Sequence, residues 1–434
     1  MAKVRNEVRD GLYGFIEFDT LEKKLIDSAP FQRLRGIHQL AMCFQVYPGA
    51  THKRFEHSLG VMEAATRIFD EVFERRLSDE VFRRIEEELV PDRKAYWKRV
   101  LRLAALLHDV GHLPFSHGAE DALLPNGWNH ERLSAEIIRK SEIGDLLRNA
   151  RPIIDPEDVV DLCWDVRKRA KVEPQVFLSP WKTLLNEIIT GNTFGADRID
   201  YLLRDSWHAG VGYGRFDPER LIGGLRTIID PTNEEVTLGL DFGAIHAAEA
   251  LLVGRYFMYT QVYFHDVRRA YDMHLQDFLQ GWLSGGKFPT DWQELLKVSD
   301  NEVLGALRTA SADEKDALHS LACPLTKRQH FRTVYEQLST QKQKRPTIFD
   351  DLAAFAKGEF GADKVRTDKY GPKSETNDFW VLTDDDSIES SLEVSGIIAK
   401  LPPLDFALLF VAPELKENAK DRLGAKLKAL LAEQ

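Results

Sequence analysis

The chain has 434 residues, of which 43% are hydrophobic and 29% charged; this is ordinary globular composition and excludes a disordered or low-complexity chain. A formal net charge of -11 excludes a broadly basic surface that coats nucleic acid, but not a local cationic pocket for an anionic substrate. Cys43, Cys163 and Cys323 are too few and too scattered for a disulfide framework and read as buried thiols in a reducing compartment. The first residues, Met1 to Glu7, carry no signal-peptide pattern, and no apolar run approaches the ~20 residues of a membrane span. The expectation is a cytoplasmic protein without a membrane partner.

In chain order, the first marked element follows Lys53-Arg54-Phe55-Glu56-His57, where Leu59, Met62, Phe69, Val72 and Phe73 form an apolar helical stripe. Residues 98–108 repeat the pattern, with Val100, Leu103, Ala104 and Leu107 at i, i+3, i+4, i+7. Gly111 and Pro114 stop that helix and leave His108 and Asp109 near its C-terminal end. The stretch His108 to His117 holds three histidines and a carboxylate, and His130 follows between Asn129 and Glu131. A buried unpaired carboxylate is very costly, so Asp109 needs a partner; a metal is the natural one, with Gly111 leaving room beside it. Taken alone, His57 reads more readily as a surface or capping residue than as a ligand, and the later histidines as partners for loop carbonyls. Five of the 13 histidines lie between 57 and 130, which favours a shared role for the group.

Further on, Asp197, Tyr201 and Asp205 are spaced to share one helix face, with Arg198 and Arg204 beside it and Ile199, Leu202 and Leu203 opposite. Two readings stand level: a solvated face of Asp–Arg pairs, or Asp197 closing a metal site with Tyr201 and Asp205 turned to a substrate. Residues 221–242 read as a β-hairpin, and a long helix is expected from about Phe242 to Trp282. Beyond Gly285-Gly286 the pattern mixes short helices at 291–320, strand-like runs at 379–383 and 406–411, and an amphipathic tail at 416–433. Gly, Lys and Asp at 357–377 suggest a mobile loop. The fold expected is mainly α: a helical catalytic region over 1–285 with a small β-hairpin insertion, then a smaller α+β region over 286–434.

His57, His108, Asp109 and Asp197 make a plausible metal set. Imidazole and carboxylate suit Zn, Fe, Mn or Mg, as one ion or two, with positions left for water and phosphate oxygen. Such an ion activates water and polarises a phosphoryl oxygen, and Arg54, Arg198 and Arg255 are candidate phosphate cations.

This ordered set, H…HD…D, resembles the HD superfamily of metal-dependent phosphohydrolases. The likeness is closer still to the deoxynucleoside triphosphate triphosphohydrolases of the sterile-alpha-motif-and-HD type and their bacterial relatives. It rests on Phe31-Gln32-Arg33-Leu34-Arg35, Gln39-Leu40, Tyr47 to His52, Arg54 to Gly60, His108 to His117 and Asp197 to Asp205, and covers roughly residues 8–285. The resemblance implies hydrolysis of dNTPs to deoxynucleoside and inorganic triphosphate by water attack at the α-phosphorus. It implies His57, His108, Asp109 and Asp197 as metal ligands, with His112, His117 and His130 around the α-phosphate. Arg54, Arg198 and Arg255 would meet phosphate. Gln39 and Asp205 would bind the sugar 3′-hydroxyl, with Tyr201 and Tyr263 lining the substrate and Tyr201 packed where a 2′-hydroxyl would clash.

The family also implies a homo-oligomer, dimer or tetramer, with a nucleotide effector for which Asp27, Gln32 and Arg35 match guanine-reading residues. Leu113 departs from a glycine common in the loop, Phe264 from a polar sugar contact, and Arg198 from a lysine. The alternatives are a single-strand nuclease or another nucleotide phosphohydrolase, and a non-catalytic nucleotide sensor. Nucleic acid as a partner is not indicated.

Overall fold

The computed structural model describes residues 6–75, 77–118, 120–371 and 378–432. Within these, the chain forms two compact units. One takes in the described residues up to Met258, Phe288–Asn301 and those from 378 to 401; the other takes in Tyr259–Lys287 and the described residues of 302–371 and 402–432. Gly285 and Gly286, where the change of pattern was expected, stand just before one of the points at which the chain passes between units.

The first unit is mainly helical. Helix Arg54–Asp70 packs against Pro91–Leu107 and Ala196–Ala209, and Pro91–Leu107 also packs on Pro156–Cys163. The expected stripe of Val100, Leu103, Ala104 and Leu107 is fully buried, as are Val61, Met62, Ala64 and Ala65 of helix Arg54–Asp70. Helix Pro91–Leu107 starts on a proline, whose missing N–H costs nothing at that position, and ends with His108 as its C-cap.

The expected hairpin is present. Strands β3 (Leu225–Ile229) and β4 (Val236–Asp241) pair antiparallel, Leu225 opposite Leu240. The pair is extended by the parallel β7 (Trp380–Leu382) and then by β8 (Ile388–Ser390), giving the order β3-β4-β7-β8. A separate two-stranded ribbon, β1 (Asn6–Asp10) with β2 (Gly14–Phe18), begins the described chain.

The second unit carries a three-stranded antiparallel sheet in the order β5-β9-β6, from Arg332–Glu336, Phe406–Val411 and Val365–Tyr370. The apolar run of the central strand is explained by cover on both faces. Ala407, Leu409 and Val411 pack with helices Ile348–Phe360 and Lys416–Ala432, while Leu408 and Phe410 pack with Ala270 of helix Asp266–Trp282.

Two expectations are corrected. The stretch 357–377 is no loop throughout: helix Ile348–Phe360 runs into it, and Val365–Tyr370 is the edge strand β6, exposed Thr367 and Lys369 alternating with half-buried Arg366, Asp368 and Tyr370. Residues 372–377 lie outside the described residues. The long helix is interrupted: Ile245–Met258 is followed by a π-helical turn, Tyr259–Tyr263, and a new helix starts at Asp266, capped by the His265 side chain accepting the Val267 N–H.

Candidate metal centre and its surroundings

The four expected ligands meet in the first unit, from three helices. His57 lies one turn into helix Arg54–Asp70, His108 and Asp109 follow the end of Pro91–Leu107, and Asp197 opens Ala196–Ala209. His57 Nε2 stands 3.0 Å from Asp197 Oδ1 and 3.7 Å from Asp109 Oδ2; His108 Nε2 stands 3.3 Å from Asp109 Oδ1 and 3.8 Å from Asp197 Oδ1. Neither Nε2 makes a hydrogen bond, although both are buried.

The other ring nitrogens explain that convergence. His57 Nδ1–H donates to Asp200 Oδ2 at 2.7 Å, and His108 Nδ1–H to the Ala105 carbonyl at 2.8 Å. Rings so anchored through Nδ1 turn their Nε2 atoms toward carboxylate oxygens. That arrangement repels unless a proton or a cation sits between them. Two buried imidazole nitrogens without hydrogen bonds, facing two carboxylates, form a donor set that fits a divalent cation. Asp197 is 41% exposed at the side chain, so the cluster is open on that side.

Electrostatics around the cluster are polarised. Burial disfavours a charged His57, yet Asp197 and Asp200, joined by Asp109, outweigh it and push its pKa up to about 10. Burial likewise opposes ionised Asp109, but Arg54, His108 and His112 hold its carboxyl well below the usual range. Asp200 is held down to about 2 against burial, chiefly by Arg204 and then by His57. Arg204, fully buried, spans Asp200 and Asp10 at 2.8 Å each. The reading of a solvated Asp–Arg face therefore fails for Arg204, which holds Asp200 behind the candidate ligand His57.

Next to this cluster, Asp109, His112 and His130 form a second group with ligand atoms in mutual reach. His112 Nε2 lies 3.3 Å from Asp109 Oδ1, and its ring stacks on His130 with centroids 3.9 Å apart. Burial, then the charges of Arg54 and His130, lower the His112 pKa far enough to keep it neutral. His130 goes the other way: Glu120 overcomes burial and raises its pKa, taking both the ring N–H (2.8 Å) and the backbone N–H (2.7 Å) on one oxygen. One stacked ring thus releases its proton readily while the other retains it.

The remaining expected residues are placed as follows. Arg54 is buried and gives Nη1 to Asp109 Oδ2 at 2.5 Å and Nε to Ser116 Oγ at 2.8 Å, so it braces the ligand carboxylate as well as being a candidate for phosphate. Arg198 is half-buried, with Nε making no hydrogen bond. Tyr201 and Asp205 share the Asp197 helix, and Asp205 accepts from His52 Nε2 at 2.7 Å. Buried Gln39 donates its backbone N–H to the His52 carbonyl, and its Oε1 makes no hydrogen bond. Arg255 lies in helix Ile245–Met258, whereas Tyr263 belongs to the second unit, its ring edge-on to Tyr259.

The side chain of His117 lies outside the described residues. Leu113 is fully buried in the apolar core. The space beside Gly111 is filled by backbone: a Cβ there would meet Ser134 N at 2.2 Å and His130 O at 2.6 Å, so this glycine admits helix His130–Lys140 rather than an ion. At the expected effector positions, Gln32 donates to the Ile26 carbonyl, Arg35 donates to Gln32 and lies over the Phe55 ring, and Asp27 pairs with Lys23.

Residues that sequence reasoning missed are Asp200, Asp10, Glu120 and Lys168. Lys168 Nζ is 3.2 Å from buried Glu131, and its pKa is raised against burial by Glu131, Asp165 and Asp197. Only Asp200 carried a signal, its place three residues after Asp197, since partners of metal-bound histidines are commonly carboxylates.

Two family models match the chain: one described as HD domain, over residues 54–204, and one described as HD associated region, over 216–352. A hypothetical protein from Aquifex aeolicus, solved as a crystal structure, is 33% identical with a TM-score of 0.78, covering 96% of this chain and 100% of that one. An uncharacterized protein of Methanocaldococcus jannaschii is 29% identical over 98% of this chain and 84% of its own length. The deoxynucleoside triphosphate triphosphohydrolase SAMHD1 of Bos taurus is 27% identical over 71% of this chain, which spans 55% of that relative's length.

Proposed function

Because this chain belongs to the HD-domain phosphohydrolase family and carries the HD-associated region, we propose that it hydrolyses deoxynucleoside triphosphates to deoxynucleoside and inorganic triphosphate. The observation that carries this reading is the meeting of His57, His108, Asp109 and Asp197 beside a stacked pair of histidines with opposed proton affinities. Those four residues would hold the divalent cation. When bound, such a cation supplies Lewis acidity toward a phosphoryl oxygen and activates water.

The chain's own residues take the remaining parts. His130, its proton retained by Glu120, donates to the leaving 5′-oxygen, and neutral His112 orients the attacking water. Arg54, Arg198, Arg255 and Lys168 supply charge for the triphosphate, with His117 a further proposed member near the α-phosphate. Gln39 and Asp205 accept the 3′-hydroxyl, and Tyr201 packs the sugar. Asp27, Gln32 and Arg35 are the proposed seat of a nucleotide effector in a homo-oligomer.

The test is incubation of the purified protein with each dNTP and Mn²⁺ or Mg²⁺, followed by chromatography. Triphosphate with deoxynucleoside supports the reading. Pyrophosphate with monophosphate, or no product with any metal, refutes it and returns the choice to a nuclease-like or sensing role.

A further inference from the structure

Gln39 and Asp205 lie on separate elements, and one residue joins them. His52 takes the Gln39 N–H on its backbone carbonyl at 3.0 Å and gives its ring Nε2–H to Asp205 Oδ1 at 2.7 Å, across 153 positions of sequence. The ring N–H is the donor here and the carboxylate oxygen the acceptor. The His52 ring is fully buried at the side chain and stacks on His208, with centroids 4.3 Å apart and planes 11° from parallel. Its Nδ1 is buried and makes no hydrogen bond, so Asp205 is the hydrogen-bond partner that fixes the ring.

An imidazole buried with one nitrogen unsatisfied is a costly way to fill space, and an apolar side chain of similar size avoids that cost. The cost is offset if the ring fixes the aim of Asp205. Gln39 Oε1, also buried without a hydrogen bond, is an acceptor that suits a hydroxyl donor.

We infer that His52 is a positioning residue for discrimination at the sugar 3′-end: it holds Asp205 through its ring and Gln39 through its backbone, so that both accept one hydroxyl. This inference rests on the proposed dNTP reading. A buried acceptor such as Gln39 Oε1, left unpaired by an analogue without the hydroxyl, disfavours that analogue.

The experiment compares turnover of a deoxynucleoside triphosphate with that of its 2′,3′-dideoxy counterpart, same base, by wild type, His52→Ala and His52→Gln. The wild type is expected to favour the 3′-hydroxyl substrate in kcat/KM by about tenfold or more. His52→Ala loses that preference while keeping dideoxy turnover, and His52→Gln, whose amide N–H reaches the same position, restores most of it. A His52→Ala protein that keeps the wild-type preference, or loses both substrates in equal proportion, overturns the positioning role. A wild type that treats both substrates alike removes the sugar assignment of Gln39 and Asp205, and this inference with it, while triphosphate release still stands. Absence of any dNTP turnover defeats the functional reading itself.

Discussion

At the scale of single residues, the centre is organised by what stands behind each ligand. His57 would be a poor ligand without Asp200, which fixes its ring and its tautomer through Nδ1. Asp200→Asn should weaken Mn²⁺ binding by about 10–100-fold, measured by competition with a chelator; unchanged affinity would show that Asp200 serves only Arg204. The stacked pair makes a separate prediction. Glu120 raises the His130 pKa, so the proton needed by a general acid is present below that raised value and lost as pH climbs through it. Glu120→Gln should therefore move the alkaline limb of the rate profile to lower pH. A limb that stays in place would take His130 out of the acid role.

At the scale of elements, the site depends on how closely three helices approach. A Cβ on Gly60 would come within 1.9 Å of Asp200 Oδ1 and 2.4 Å of Arg204 Nη2, so only glycine lets helix Arg54–Asp70 rest against the Asp200–Arg204 pair. Gly60→Ala should cost about 1–3 kcal/mol in denaturant unfolding and reduce metal retention together; an alanine variant of native stability would contradict the close approach. Helices with a clear apolar stripe were legible, because Val100, Leu103, Ala104 and Leu107 state their own period. The break after Met258 was not, since the stretch to Trp282 stays helical in pattern and the new start is marked only by local caps from the His265 and Asp266 side chains on the Val267 N–H. Strand β6 was hidden for a different reason: an edge strand of alternating polar residues looks like a loop until its partner, β9, is known.

For the whole molecule, the chain distributes its work between two units, and every expected metal ligand lies in the first. Leu409 is fully buried at the centre of the second unit's sheet. Leu409→Ala should lose about 2–5 kcal/mol of stability there while metal content per folded chain stays unchanged; metal lost in proportion would refute that division.

The sequence alone determined the candidate donor set, a histidine, a His-Asp pair and a distant aspartate in order, and the mainly helical segments that carry it, because residue type and helical period are both local properties. Only the tertiary structure decided which groups stand behind those ligands. Asp200 behind His57, Asp10 on Arg204 and His52 on Asp205 are contacts made across 143, 194 and 153 positions, and Glu120 reaches His130 from another element. Burial and approach in space create such partnerships, and no spacing in the chain encodes them.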